Sequence, residues 1–327
     1  MTSPRPRVWV SQPLFTDLVQ RLAGYFEVTA TGQVTRHAPA QVAAALAEVD
    51  GALVTLNERI GAREIAGARQ LKAIANLGVG YDNLDLAALD AAGIIATNTP
   101  DVLTETTADF GFALLLATAR RLTESERWLR EGRWRQWSFE NMLGTDLHGS
   151  TLGILGMGRI GQGIARRAGG FDMRVLYHNR SRLPDETERQ CRAAYVGFDR
   201  LLAESDHLVL VLPYSPRTHH LIDAAALARM KPTATLVNLA RGGLIDEPAL
   251  ADALAQGRLA AAGLDVFEDE PAVREELLAL RNVVLTPHIA SASLATRRAM
   301  VSLAVDNLIA ALGHGPDAGA PPNRLCA

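Results

Sequence analysis

"TLGILGMGRIG", residues 151–161, decides how this chain is read. An apolar run leads into Gly156, Gly158 and Gly161 at G-x-G-x-x-G spacing, and "GQGIARRA" carries the chain on with helical character. Strand, glycine turn and helix in that order build a phosphate cradle. The first glycine permits a tight turn, the second lets backbone approach a pyrophosphate, and the third lets helix and strand pack. N–H groups at the helix start then face the anion. The glycine spacing alone recurs by chance, but the flanking strand and helix and a following strand favour a dinucleotide site over a structural turn.

In such a unit the next strand ends about 20 residues on in an acid that binds the adenosine ribose hydroxyls, the mark of NAD. In "VLYHNRSR", residues 175–182, that place holds Asn179, followed by Arg180 and Arg182. Asparagine does not repel a phosphate, and arginines give charge-assisted hydrogen bonds to one on the 2′-oxygen. The stretch reads as a clamp for NADPH, with NADH as the other cofactor to consider. The competing reading is a solvated basic turn.

Outward from this loop, "RVLYHN", "HLVLVLP", "ATLVNLA", "AAAGLDVF" and "NVVLTPHIA" continue the strand pattern, giving six candidates separated by helical segments. Upstream, "RVWV" at 7–10, "GALVTL" at 51–56, "LKAIAN" at 71–76 and "GIIATN" at 93–98 alternate with alanine-rich helical stretches. Short apolar runs crossed by helices predict parallel sheets. The fold class expected is therefore α/β, with two doubly wound parallel-sheet domains. One domain is expected over 1–100 plus 291–327 and the other over 101–290. "TTADFGFALLLATARRL" predicts one long, largely buried helix within about 101–130, and a further helix over about 293–312 is expected to pack back on the first domain.

The bulk numbers agree. At 327 residues the chain exceeds one ordinary core. Hydrophobic content of 48%, charged content of 21% and a net charge of -3 fit a soluble globular protein with no field for nucleic acid. Cys191 and Cys326 lie far apart with no ligand spacing, which suits a reducing compartment. The start is polar and no apolar run could span a bilayer, so a cytoplasmic protein without membrane contact is expected.

Three loops after strand candidates hold Arg241, Glu270 and His288. Hydride addition to a 2-keto acid needs a cation for the carboxylate, a proton donor for the carbonyl oxygen and a group that keeps the donor protonated. Arg241, His288 and Glu270 could fill those roles in that order. Each also has a bland reading: a turn residue beside Gly242 and Gly243, a structural histidine, and one acid of a solvated run in which Glu268 is the rival. His219 and His220 invite a metal reading. With no carboxylate or cysteine at ligand spacing, no metal site is expected, and hydride transfer to a carbonyl does not require one.

The ordered stretches "NLGVGYDNLD", "TPDVLTETTAD", "TLGILGMGRIG", "NLARGGLIDEPAL", "AAGLDVFEDEP" and "NVVLTPHIASAS" resemble the D-2-hydroxyacid dehydrogenase family over essentially the whole chain. The resemblance implies Arg241, Glu270 and His288 as the catalytic set. It also implies a flavodoxin-like substrate domain, a Rossmann cofactor domain and a cleft between them. Cofactor contacts would come from Gly156, Gly158, Arg159, Ile160, Gly161, Asn179, Arg180, Arg182, Pro213, Thr107, Ala240 and Asp265. Val79 and Gly80 would offer backbone N–H groups to the substrate carboxylate, with Leu56, Leu77 and Trp137 near the pocket.

"DVLTETTAD", "GMGRIGQGIARR" and "YHNRSR" are most similar to the glyoxylate/hydroxypyruvate reductase and 2-ketogluconate reductase branch, which prefers NADPH. A phosphite dehydrogenase type shares "GILGMG", but an added lysine would be expected at the loop where Val79 stands. A dinucleotide sensor without chemistry is the alternative of another class, since fold does not fix function. The family implies a homodimer, with Trp128, Trp134 and Trp137 as packing or interface residues.

Overall fold

All five strands of one sheet and all seven of another run parallel, which is how short apolar runs crossed by helices satisfy their backbone groups. The computed structural model describes residues 5–326. The chain divides into two units: one holds the chain up to Leu103 and again from Ser293, the other spans Thr104–Ala292.

The first unit carries β1 (Arg7–Val10), β2 (Glu27–Ala30), β3 (Gly51–Val54), β4 (Ala73–Asn76) and β5 (Ile95–Thr97), in the order β2-β1-β3-β4-β5. The central β3 and β4 are buried along their whole length. β2 is an edge strand with no fully buried residue, which explains why its sequence carries no apolar run. The helix Leu294–Ala311 belongs to this unit and packs Val301, Ala304, Val305 and Leu308 against Val8, Val10 and Leu53. Ser293 caps it by accepting the Thr296 N–H. Leu308 is fully buried, so truncation to alanine there costs about 2–5 kcal/mol.

The second unit carries β6 (Thr151–Leu155), β7 (Arg174–His178), β8 (Ala193–Tyr195), β9 (His207–Leu210), β10 (Thr235–Asn238), β11 (Ala261–Leu264) and β12 (Val283–Leu285). Their order, β12-β11-β10-β9-β6-β7-β8, reverses direction at β6, the place where open α/β sheets bind ligands beyond the strand ends. The structure adds one strand to the six expected. β8 is three residues long and lies at the sheet edge, with too little apolar sequence to announce itself.

The long helix expected within 101–130 is two. Thr104–Ala119 is buried through Ala108, Phe112, Leu115 and neighbours, whereas Leu122–Arg130 buries none of its residues. Arg121 breaks them apart in the left-handed region at φ 53°, its guanidinium held by Glu124 and the Leu143 carbonyl. Neither glycine nor proline marks the break, so the sequence conceals it. Among the described residues no helix is long and apolar enough to cross a membrane.

Candidate active site

The glycine turn after β6 is built as a cradle. Gly156 sits at φ 102°, where a side chain would be strained, and a Cβ on it would lie 2.7 Å from the Val211 and Leu212 backbone. A Cβ on Gly161 would meet the Gly156 carbonyl at 2.4 Å, so the helix Arg159–Ala168 can approach β6 only through glycine. Gly158, by contrast, faces open space. Arg159 and Ile160 open that helix, and its first-turn N–H groups have no partner within the helix. Thr107, on the helix Thr104–Ala119 packed against this one, has a buried hydroxyl with no hydrogen-bond partner among the described residues. An open cradle and an orphaned buried hydroxyl fit a dinucleotide. Pro213 and Ala240 follow the neighbouring β9 and β10 on the same side of the sheet.

Asn179 follows β7 and ties it to the cradle, its Oδ1 accepting the Met157 N–H at 2.6 Å. The two arginines after it part company. Arg180 is exposed and forms no side-chain hydrogen bond or ion pair among the described residues. Arg182 binds Glu188 through Nε at 2.9 Å and Nη2 at 2.7 Å, and reaches Asp185 as well. Of the two arginines expected to face a phosphate, Arg182 is engaged by a carboxylate of its own chain. Tyr177 completes the knot, donating to Glu188 at 2.6 Å and accepting the Leu183 N–H at 2.8 Å. Arg182 and Tyr177 hold the Glu188 carboxyl down at about 2. Burial, with Glu188 adding to it, pushes the Tyr177 phenol up to about 12.

The set drawn from the resemblance lies on three loops of the second unit. His288 Nδ1 is 2.9 Å from Glu270 Oε2, and Glu270 Oε1 accepts the Phe267 N–H at 3.0 Å. Burial would raise the Glu270 carboxyl, but His288, the Phe267 N–H and the charge of Arg241 together hold it below its ordinary value. Glu268, the rival acid, pairs instead with His220. Arg241 is half-buried, with Nη1 on the Ala240 carbonyl at 2.7 Å. The Arg241 turn is pressed onto the Glu270 loop, because a Cβ on Gly242 would overlap the Phe267 backbone at 1.9 Å.

Asp265 was expected beside the nicotinamide carboxamide, and the structure gives it a firm local task. Fully buried, it accepts Thr286 Oγ1 at 2.7 Å, the Ile289 N–H at 2.9 Å and the Ala290 N–H at 2.9 Å. Its backbone carbonyl takes the His288 N–H at 2.8 Å, holding His288 at φ 53°. Burial pushes this carboxyl up, against the pull of those donors.

In the first unit, the loop after β4 turns its donors outward. The carbonyls of Gly78, Val79 and Gly80 accept from the Thr99 N–H at 3.0 Å, Asn98 Nδ2 at 2.8 Å and Asn76 Nδ2 at 3.0 Å. The N–H groups of Val79 and Gly80 donate to nothing among the described residues, which leaves a paired donor suited to a carboxylate. Leu56 packs close to Gly78. Sequence reading missed Asn76 and Asn98; their signal was a buried amide at the end of an apolar strand, in "AIAN" and "ATN". Trp137 is exposed and stacks edge-on with Phe139.

The expectation of no metal site rested on a missing carboxylate, and that premise fails. Glu268 comes from 48 residues away to lie 2.7 Å from His220 Nε2, beside His219.

Residues 112–290 match the model of the D-isomer specific 2-hydroxyacid dehydrogenase NAD binding domain. The chain is 46% identical over 310 residues to glyoxylate reductase of Thermococcus onnurineus, covering 94% of this chain and 92% of that one. It is 45% identical over 310 residues to glyoxylate/hydroxypyruvate reductase B of Shigella boydii, at 94% and 95% coverage. An NADPH-dependent glyoxylate/hydroxypyruvate reductase from Sinorhizobium meliloti, solved with NADP and malonate, superposes with a TM-score of 0.85 at 38% identity, covering 99% of each chain. Kinship on that scale, over the residues that build the cradle and the paired histidine, makes the chain a member of the D-isomer specific 2-hydroxyacid dehydrogenase family and an NAD(P)-dependent oxidoreductase.

Proposed function

We propose that the enzyme reduces a small 2-keto acid, glyoxylate or hydroxypyruvate, to its D-2-hydroxy acid with NADPH. The observation that carries this reading is the His288–Glu270 pair at 2.9 Å, in a chain whose relatives are glyoxylate and hydroxypyruvate reductases. Glu270, held below its ordinary value, orients the ring through Nδ1, so that Nε2 delivers the proton to the carbonyl oxygen. Arg241 holds the substrate carboxylate and polarises the adjacent carbonyl. Bound NADPH supplies the hydride to the carbonyl carbon.

The NADPH preference rests on Arg180, presented by a turn that Arg182 and Glu188 fasten, and on Asn179 in place of an acid. A charge-assisted bond of that kind is worth about 1.5–3 kcal/mol before exposure discounts it. Glyoxylate, hydroxypyruvate and 2-ketogluconate, each assayed with NADPH and NADH, test the proposal. Turnover of one of the first two, with NADPH favoured about tenfold or more, is expected. A preference for NADH would overturn the cofactor assignment, and tight cofactor binding without turnover of any keto acid would make the chain a sensor.

We also assign a homodimer and a cytoplasmic setting. Leu122, Leu129, Trp134, Trp137 and Phe139 are exposed along one stretch, an apolar surface that a second copy would cover. Both cysteines, Cys191 and Cys326, are free thiols, as a reducing compartment keeps them. A monomer by light scattering would refute the dimer.

A further inference from the structure

The geometry points to a binding site for one divalent transition-metal ion of the zinc class, formed by His219, His220 and Glu268 and separate from the catalytic histidine. One candidate ligand atom from each of the three lies within 4.8 Å of the others. His220 Nε2 and Glu268 Oε1 are 2.7 Å apart, and the rings of His219 and His220 stack with centroids 3.8 Å apart. Two imidazoles and one carboxylate are a recurrent donor set for zinc, with water in the fourth position. Ligand bonds of about 2.0–2.2 Å place donors roughly 3.5 Å apart on a tetrahedral ion, so the widest separation must close by about an ångström while His220 Nε2 and Glu268 Oε1 open by somewhat less. His219 is the exposed member and supplies the movement by side-chain rotation.

A second observation concerns the ring edge away from the ion. The Tyr214 hydroxyl lies 3.1 Å from His219 Nδ1. A proton on Nδ1, given to that oxygen, leaves the lone pair of Nε2 for the metal and fixes the tautomer, as outer partners of metal-bound histidines do. Glu268 is held from behind, because its N–H donates to the buried Glu247 at 2.8 Å.

Occupied, the site clips the loop after β9 to the segment that leads into Glu270. It also bears on the Arg241 turn, since Tyr214 covers Gly243 so closely that a Cβ there would meet its ring at 2.8 Å. The clip therefore raises thermal stability by binding the folded state alone.

Calorimetric titration of the full-length, chelator-stripped protein with zinc chloride tests this, with thermal melts in parallel. One equivalent is expected, accompanied by a higher melting midpoint. Tyr214→Phe should weaken binding about 10-fold, and His219→Ala and Glu268→Gln at least as much. His288→Asn should keep both the equivalent and the melting shift, and His219→Ala should keep wild-type turnover without metal. Absence of zinc binding by the wild-type protein, or equal affinity in His219→Ala, would overturn the site.

Discussion

The turn that carries His288 and the turn that carries Arg180 both follow strands of one sheet, yet they are made in opposite ways. Around His288 a fully buried carboxylate is saturated by two backbone N–H groups and a hydroxyl, and the imidazole meets a second carboxylate. Around Arg180 the chain is exposed, and its order comes from a neighbour, Arg182, fastened to Glu188. In the role proposed for His288, a proton donor must keep its direction to within a fraction of an ångström, and its support is internal and redundant. In the role proposed for Arg180, a contact that chooses between two cofactors needs charge at roughly the right place, which an exposed turn can supply.

The sharpest test of the first turn is removal of its proton donor. His288→Ala should lower kcat by about 10²–10⁴, with the KM for NADPH nearly unchanged, in steady-state assays of glyoxylate or hydroxypyruvate. Wild-type turnover in that variant would end the assignment. The second turn should respond differently. Arg180→Ala is expected to raise the KM for NADPH about 10-fold to 100-fold while leaving kcat and NADH kinetics close to wild type. Equal effects on both cofactors would erase the distinction between the turns.

The support of each turn gives smaller effects. Asp265→Ala removes the acceptor of the Thr286 hydroxyl and of the Ile289 and Ala290 N–H groups, the last of them buried, and should cost about 1–3 kcal/mol in urea unfolding along with a fall in kcat. Unchanged unfolding would mean that the turn does not depend on it. For the other turn the readout is acid stability. Glu188 has its folded value held at about 2, below the ordinary 4.5, so its contribution is complete above about pH 4.5 and is lost as pH falls through about 2. The stability gap between wild type and Glu188→Gln should therefore narrow on acidification from neutral pH. A gap that stays constant in denaturant melts would disconnect the acid limb from this ion pair.

What the sequence discloses follows the same division. Buried strands such as "GALV" and "TLVN" announce themselves because both faces must be apolar, whereas the edge strands β2 and β8 escape notice. The cradle was legible because Gly156 and Gly161 each answer a local steric demand within eleven residues of chain, "TLGILGMGRIG". The partner of Arg182 was harder to read, since a carboxylate six residues on serves as well for a solvated helix face as for a bidentate grip. The nearness of Glu268 to His220 could not be read at all: it is made by the packing of two loops 48 residues apart, and no local pattern encodes it. The break at Arg121 was hidden for another reason, because arginine seldom adopts a left-handed conformation and gives no warning when it does.

Asn76 and Asn98 draw the carbonyls of the loop after β4 inward, so what the loop shows to a ligand is main chain. Recognition written in peptide groups survives almost any exchange of the side chain at position 79. With a carboxylate bound at this loop, acids of different bulk could be exchanged without altering that grip, and the two amides matter more to it than the side chains beside the ligand.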